Sequence, residues 1–190
     1  MKILLILIAV SLFSCNSAGV NSGDNGLLPL VKGNSWSYDY DVELNPKSSS
    51  FKIESVSNSS GETKAVFDSF PVLGMWDTKT TVLEKSDGSY YLDYPEAMDL
   101  MFIPPKEKIK TGYKWTSGEW NCNVAGDNED LLVSGKTYKN CVHISFSASI
   151  TFWGEFWVKE GVGIVKWQFL RTNPPTTELG HYLLKEYSLK

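Results

Sequence analysis

Short segments in which apolar and polar residues alternate are the feature that most constrains the fold of this chain. Trp36, Tyr38, Tyr40 and Val42 alternate with small or acidic residues, which places one face of a β-strand in a core. Residues 138–150 repeat the pattern over a longer stretch. About ten such segments follow one another at intervals of roughly 8–12 residues, with turn-forming residues between them. The pattern predicts an all-β domain.

The connections between these segments indicate how the strands pair. None contains a helix long enough to join parallel strands, so sequence neighbours are expected to form antiparallel hairpins. One short helix, or an irregular lid, is expected over residues 95–102, where Pro95 stands in a first-turn position. The sequence therefore predicts either a single antiparallel, strongly curved sheet, as an open or half barrel, or a β-sandwich, with at most one short helix.

The first 14 residues have the pattern of a secretory signal peptide. Lys2 supplies a positive start and an apolar stretch follows, much shorter than the roughly 20 residues that a transmembrane helix needs. Residues 16–26 are small, polar and Gly-rich, which is typical of a flexible tether. We therefore expect a signal peptide over residues 1–14, a lipidated tether over 15–26 and one all-β domain over 27–190.

Residues 12–15, Leu-Phe-Ser-Cys, resemble the lipobox of bacterial lipoproteins. The resemblance implies cleavage before Cys15, a diacylglycerol on its sulfur and a fatty acid such as palmitate on its new amino group. The membrane is then a partner of the chain through these acyl chains, since each buried CH₂ stabilises attachment by ~0.8 kcal/mol. Asn16 stands where enterobacterial lipoproteins carry their sorting residue, and by that resemblance it favours the outer membrane of the cell envelope.

Four segments are similar to landmarks of a group of exported bacterial proteins of unassigned function. Residues 29–38 fit P-L-x-x-G-N-x-W-x-Y, residues 112–115 fit G-x-x-W, residues 138–141 fit Y-x-N-C and residues 159–166 fit x-x-G-V-G-I-V-K. The resemblance spans nearly the whole mature chain and implies an all-β lipoprotein domain. It implies no reaction, so it supplies no catalytic residue.

The charge of the mature chain argues against nucleic acid as a partner. Without the signal, 17 Lys and Arg face 22 Asp and Glu, a net charge of −5, and no basic run is present. Affinity for a polyanion depends on clustered Lys and Arg, so nucleic-acid binding is not expected. The 176 residues that remain suit one domain with a substantial core.

The two cysteines left after lipidation predict a disulfide. Cys122 and Cys141 form an even pair in an exported chain, and the bridge would stabilise the domain by ~3 kcal/mol on the chain-entropy model. The alternative is two free, buried thiols. No metal site or other cofactor is expected, because neither cysteine belongs to a C-x-x-C pair and His143 and His181 are the only histidines.

An acidic run and several isolated acids are candidates for a chemical site. Residues 127–130, Asp-Asn-Glu-Asp, lack the alternation and glycine of a calcium loop, so a solvated hairpin turn is favoured. A hydrolase needs only two carboxylates. Asp93 with Glu96, or Glu155 with Glu160, could supply them. His143 and His181 are interpreted as structural, because no nucleophile motif accompanies them.

Residues 152–159 carry large aromatics on both faces of one predicted strand. One face, with Phe152, Phe156 and Val158, is apolar and fits a core. The other mixes Trp153 and Trp157 with charged Glu155 and Lys159. Because unpaired buried charges are costly, this face is predicted to be an exposed platform that binds a protein, glycan or lipid. Two-sided burial in a sandwich is the alternative.

Together these features favour a non-catalytic binding or interaction module, lipid-anchored in the cell envelope. A carrier that encloses a hydrophobic or lipid ligand in a concave β-sheet is the first alternative. A hydrolase with a pair of carboxylates is the second.

Acylation at Cys15 is directly testable. The intact mass of the membrane-extracted protein should show loss of residues 1–14 and a gain of acyl mass. Cys15→Ala should move the protein into the soluble fraction. Retention of that variant in the membrane fraction would contradict the lipid anchor.

Overall fold

The computed structural model describes residues 26–42, 45–70, 79–93, 99–148, 152–173 and 176–190. Within these ranges the chain forms twelve β-strands and one short 3₁₀ turn, Lys106–Lys108. The strands are β1 Ser35–Val42, β2 Asn45–Ser59, β3 Glu62–Phe67, β4 Thr80–Lys85, β5 Tyr90–Asp93, β6 Leu100–Ile103, β7 Lys114–Ser117, β8 Trp120–Val133, β9 Lys136–Ala148, β10 Phe152–Lys159, β11 Gly163–Asn173 and β12 Thr176–Ser188. The predicted signal peptide, Cys15 and most of the predicted tether lie outside these ranges.

All twelve strands belong to one antiparallel sheet. Its order is β6-β5-β4-β3-β2-β1-β12-β11-β10-β9-β8-β7. Strands that are neighbours in the sequence therefore pair, except β6 and β7, which are the two edges of the sheet, and β1 also pairs with β12. The prediction of an all-β, single curved antiparallel sheet is confirmed, and the sandwich alternative is not what forms.

The edges of the sheet approach each other and make it a nearly closed barrel. Trp115 of the edge strand β7 is buried and donates its indole N–H to the carbonyl of Met101 in the edge strand β6, at 3.0 Å. The two edges therefore meet through a side chain, although they are not neighbours in the hydrogen-bonded ladder.

Of residues 95–102 the structure describes residues 99–102, and neither the short helix nor the irregular lid expected there forms in that part. Leu100–Ile103 is strand β6, which pairs with β5 and buries Phe102 and Ile103. Pairing and burial outweigh the local helix preference of Leu and Met here. The described ranges contain no helix long and apolar enough to span a membrane.

Aromatic side chains fill the interior of the barrel. The largest fully buried side chains include Trp167, Tyr90, Phe67, Phe156 and Phe169. Two apolar cavities lined by described residues measure only about 20 and 10 Å³. Each could hold about one water molecule, so neither provides the concave apolar site that a lipid carrier would need.

The segment before β1 covers one end of the barrel, which we call the entry end. Leu28 and Leu30 are buried there. Asn34, only 1% exposed, donates to the carbonyl of Pro29 at 2.7 Å and accepts from the backbone N–H of Lys190 at 2.8 Å. Gly161, in the β10–β11 turn, donates its backbone N–H to the carbonyl of Gly26 at 3.2 Å. These bonds hold residues 26–34 against the sheet.

The predicted Cys122–Cys141 disulfide is wrong: both cysteines are free and buried. They lie on paired strands, but Cys122 faces Phe146 whereas Cys141 faces Glu129. Five residues of β9 separate Cys141 from Phe146, roughly 16 Å at the rise of a strand, and a disulfide needs about 5–6 Å between Cα atoms. Burial raises the pKa of Cys122 to about 12, so this thiol stays protonated.

Candidate functional site

The hydrogen-bonded pairing between β8 and β9 is interrupted, and this interruption sets the directions of the acidic side chains in residues 127–130. The register is regular from Asn121 to Val124 and then shifts three times before Leu131. We call residues 125–130 the β8 bulge. Bulges expel or re-aim side chains that a regular strand would present to one face.

The acidic run 127–130 lies in this bulge, so its prediction as a hairpin turn is wrong. The β8–β9 turn comes later, at Ser134 and Gly135, which have φ angles of +49° and +79°. Within this run Glu129 keeps a register partner, Cys141 of β9, and each acid contacts a residue of another segment.

The acids of this run are bound by separate partners. Asp127 accepts from the hydroxyl and the backbone N–H of Thr111, at 3.0 and 3.3 Å. Asp130 accepts from the backbone N–H of Asn140 at 3.2 Å. Among the described residues, no group of three or more His, Cys, Asp or Glu side chains could hold a metal ion.

Glu129 turns instead to the outer face of the sheet and forms what we call the His143 cluster, which consists of Glu129, His143, Glu155, Trp157 and Gln168. The two ring nitrogens of His143 lie 3.1 Å from carboxylate oxygens, Nδ1 from Glu129 on β8 and Nε2 from Glu155 on β10. Gln168 on β11 donates its amide to the second oxygen of Glu155. The imidazole thus links two carboxylates across three neighbouring strands.

Trp157 forms the wall of this cluster and is only 6% exposed. Its ring stacks on His143 at 4.1 Å between centroids, and its indole N–H donates to Glu129 at 2.7 Å. Lys166 places its ammonium 4.3 Å from the centre of the same ring. The predicted exposed platform is therefore wrong for Trp157. The prediction assumed that the charge of Glu155 would keep this face exposed to solvent. His143 and Gln168 compensate that charge, so the face can be buried.

Trp153 differs from Trp157, because it is 37% exposed. Its register partners across β11 and β12 are Leu170 and then Leu179, which is 56% exposed. The three residues form an apolar row on the sheet surface. A binding role for Trp153 stays a prediction.

The carboxylate pairs considered for a hydrolase are not brought together by the contacts of the described residues. Glu160 forms an ion pair with Lys106 at 3.6 Å, whereas Glu155 faces His143. Asp93 pairs with Lys64 at 2.6 Å, and Glu96 lies outside the described ranges. The structure joins Glu155 to Glu129 through His143 instead. The sequence offers no signal for that pairing until the register of β8, β9 and β10 is known.

A pocket of about 320 Å³ lies at the entry end, and we call it the entry pocket. Its wall is drawn from the N-terminal segment, the β4–β5 hairpin, the 3₁₀ turn, β8, β9 and the β10–β11 turn. The lining residues are Gly26, Leu27, Glu84, Gly88, Tyr90, Lys106, Ile109, Asp127, Asn140, Val142 and Glu160. Sequence reasoning missed this pocket, because its residues come from segments far apart in the chain.

Hydrogen bonds and backbone geometry fix the polar wall of the entry pocket. Tyr90 donates its hydroxyl to Glu84 at 2.6 Å and accepts from the backbone N–H of Leu28 at 3.4 Å. Burial, followed by the hydrogen bond and charge of Glu84, raises the pKa of Tyr90, so this hydroxyl remains a donor. Asn140 has a φ of +54°, a conformation that non-glycine residues adopt rarely.

The ionisation of His143 depends on its carboxylate partners. Burial alone would lower its pKa, but hydrogen bonds to Glu155 and Glu129 and the negative charges of both residues outweigh burial, so the pKa is raised. The ammonium of Lys166 also lies in this layer, over the far side of the Trp157 ring. The protonated form of His143 therefore stabilises the folded protein.

We predict that His143→Gln destabilises the protein in a pH-dependent way. The pKa of His143 is higher in the folded than in the unfolded state, so its contribution is complete below the ordinary histidine pKa of about 6.5 and is lost as the pH rises through the folded-state pKa. Urea unfolding at several pH values should show the free-energy gap between wild type and variant narrowing as the pH rises. In a Glu129→Gln background the narrowing should be smaller. A gap that is independent of pH would contradict this role.

Comparison with known proteins supports the fold and identifies no family. No protein-family model matches the chain, and no curated protein does. A crystal structure from Bacteroides fragilis, of a protein assigned as exported and with a YmcC-like fold, matches with a TM-score of 0.56 at 10% identity; the match covers 87% of this chain and all of the other. A protein from Parabacteroides distasonis assigned as a lipoprotein matches with a TM-score of 0.47 at 13% identity, over 86% and 99% of the two chains. The chain therefore shares its fold with the first of these proteins.

Proposed function

We propose that this chain is a lipid-anchored, non-catalytic binding module of the bacterial cell envelope, held at the outer membrane through Cys15, and that it binds a small ligand in the entry pocket. The observation that carries the proposal is the pocket itself. Its volume of about 320 Å³ lies within the range of ligand sites, about 300–1,000 Å³, whereas the two interior cavities hold about one water each.

The composition of the pocket wall also suits a ligand. Leu27, Ile109 and Val142 supply apolar surface, and charged or hydrogen-bonding side chains from five of the six wall segments surround it. Ligand sites combine a largely apolar wall with a few placed polar groups that orient the ligand.

The position of the pocket relative to the anchor supports an envelope function. Gly26 lines the pocket and is also the last residue of the predicted tether. Eleven residues, 16–26, reach at most ~36–40 Å when fully extended. Attachment at Cys15 would keep the entry end close to the membrane surface. The related fold in Bacteroides fragilis belongs to a protein assigned as exported, which agrees with this location.

The contacts of His143 argue against its action as a general base and so favour a non-catalytic protein. A general base needs a free nitrogen within reach of a substrate proton. Both nitrogens of His143 are engaged by carboxylates, and Trp157 covers a face of the ring. The His143 side chain is 14% exposed. These contacts suit a structural layer that holds β8, β9 and β10 together.

Small molecules that co-purify with the protein test the binding function. The mature protein should be extracted in mild detergent and its bound molecules identified by mass spectrometry. Ile109→Trp should fill the pocket and remove a ligand that the wild type carries. Leu132→Trp, at a position that is 71% exposed and outside the pocket, should retain it. The same set of bound molecules in all three proteins would contradict the proposal.

A further inference from the structure

We infer that the entry pocket takes a small aliphatic cation, a compound with one or two protonated amines on a short hydrocarbon body. This inference rests on the proposed binding function and names the chemical class of its ligand. It comes from the charges that the fold brings together around the pocket.

Three carboxylates from distant parts of the chain line the pocket: Glu84 on β4, Asp127 in the β8 bulge and Glu160 in the β10–β11 turn. Lys106 is the single cationic side chain among the described lining residues, so the wall carries a net charge of −2. A recess with a net negative wall raises the local concentration of cations and disfavours anions.

Two of these carboxylates, Asp127 and Glu160, have acceptor capacity left for a ligand. Asp127 accepts from one residue, Thr111, and a carboxylate offers about four lone-pair sites. Among the described residues, the contact of Glu160 is a long ion pair with Lys106, at 3.6 Å, and the two side chains are 53% and 71% exposed. Exposed ion pairs of this kind are weak, so a ligand amine can replace Lys106 beside Glu160 at little cost.

The apolar wall of the pocket and its volume determine the chemical character and the size of the part of the ligand between its amines. Leu27, Ile109 and Val142 would contact methylene groups but offer no partner to hydroxyls or further charges. A volume of about 320 Å³ accommodates a short chain and excludes a polymer segment of many residues. A short alkyl amine or diamine meets both requirements.

Calorimetric titration of the mature protein in detergent with 1,5-diaminopentane tests the inference. At low ionic strength the diamine should bind, whereas 1,5-pentanediol and glutarate, which have the same chain length, should bind weakly or not at all. Affinity for the diamine should fall as salt rises to about 0.15 M, where charges are screened beyond ~8 Å.

Variants that remove an acid and a variant that removes the lysine are expected to change diamine affinity in opposite directions. Asp127→Asn and Glu160→Gln should each weaken diamine binding about three- to five-fold, the range for partly exposed charge pairs. Glu119→Gln, at an exposed acid outside the pocket, should leave affinity unchanged. Lys106→Gln should tighten binding by a similar factor, because it removes the internal cation that competes for Glu160.

Failure of this inference can be told from failure of the binding function. Tighter binding of glutarate than of the diamine, or weaker diamine binding by Lys106→Gln, would overturn the cationic ligand. If a neutral or anionic molecule co-purifies with wild type and is lost in Ile109→Trp, the binding function stands and the ligand class is wrong. If no molecule depends on the pocket and the diamine does not bind, both proposals are wrong.

Discussion

The interrupted ladder between β8 and β9 is the constraint on which both polar sites of this protein depend. A regular antiparallel pair would give the acids of residues 127–130 alternating directions on two fixed faces. In the bulge, Asp127 instead lines the entry pocket, whereas Glu129 contacts His143. The lack of a side chain at Gly126 permits this position of Glu129, because a Cβ at residue 126 would collide with the Glu129 carboxylate. One local irregularity thus supplies an acid to each site.

The closure of the barrel explains why the polar sites lie at its end and on its outer face. Aromatic side chains occupy the interior, and the Trp115 indole joins the two edge strands. Interiors packed in this way leave little room for a ligand. The entry end differs, because it is covered by residues 26–34 and by turns whose backbone groups bond to one another. A pocket can form between such segments without removing core volume.

The fold could be predicted from the sequence to a large extent, because strand alternation reports directly on burial. Trp36 and Tyr38, predicted on the inner face of the first strand, are 5% and 3% exposed. Phe156, predicted as core, is fully buried. Local preferences favour a short helix or an irregular lid over residues 95–102, and the pairing of Leu100–Ile103 with β5 outweighs them in the described part.

The site could not be predicted, because it depends on strand register and on the compensation of charge by distant residues. The even pair of cysteines predicts a disulfide, but the strand register places Cys141 opposite Glu129 and not opposite Cys122. The exposed face predicted for Trp157 assumed that Glu155 would be unpaired. Gln168 and His143, on the two neighbouring strands, remove that cost. The entry pocket has no local signal at all, since six separate segments form its wall.

The titration of His143, followed by NMR in the wild type and in Gly126→Ala, tests most directly whether the β8 bulge positions these groups. The backbone of Gly126 does not lie in the left-handed region, so alanine is compatible with its conformation, and the atoms nearest to the added Cβ belong to the Glu129 side chain, which must move. Our account predicts a folded variant in which the pKa of His143 falls, because one of the two carboxylates that raise it has been displaced. A folded Gly126→Ala protein with an unchanged His143 titration would contradict the account.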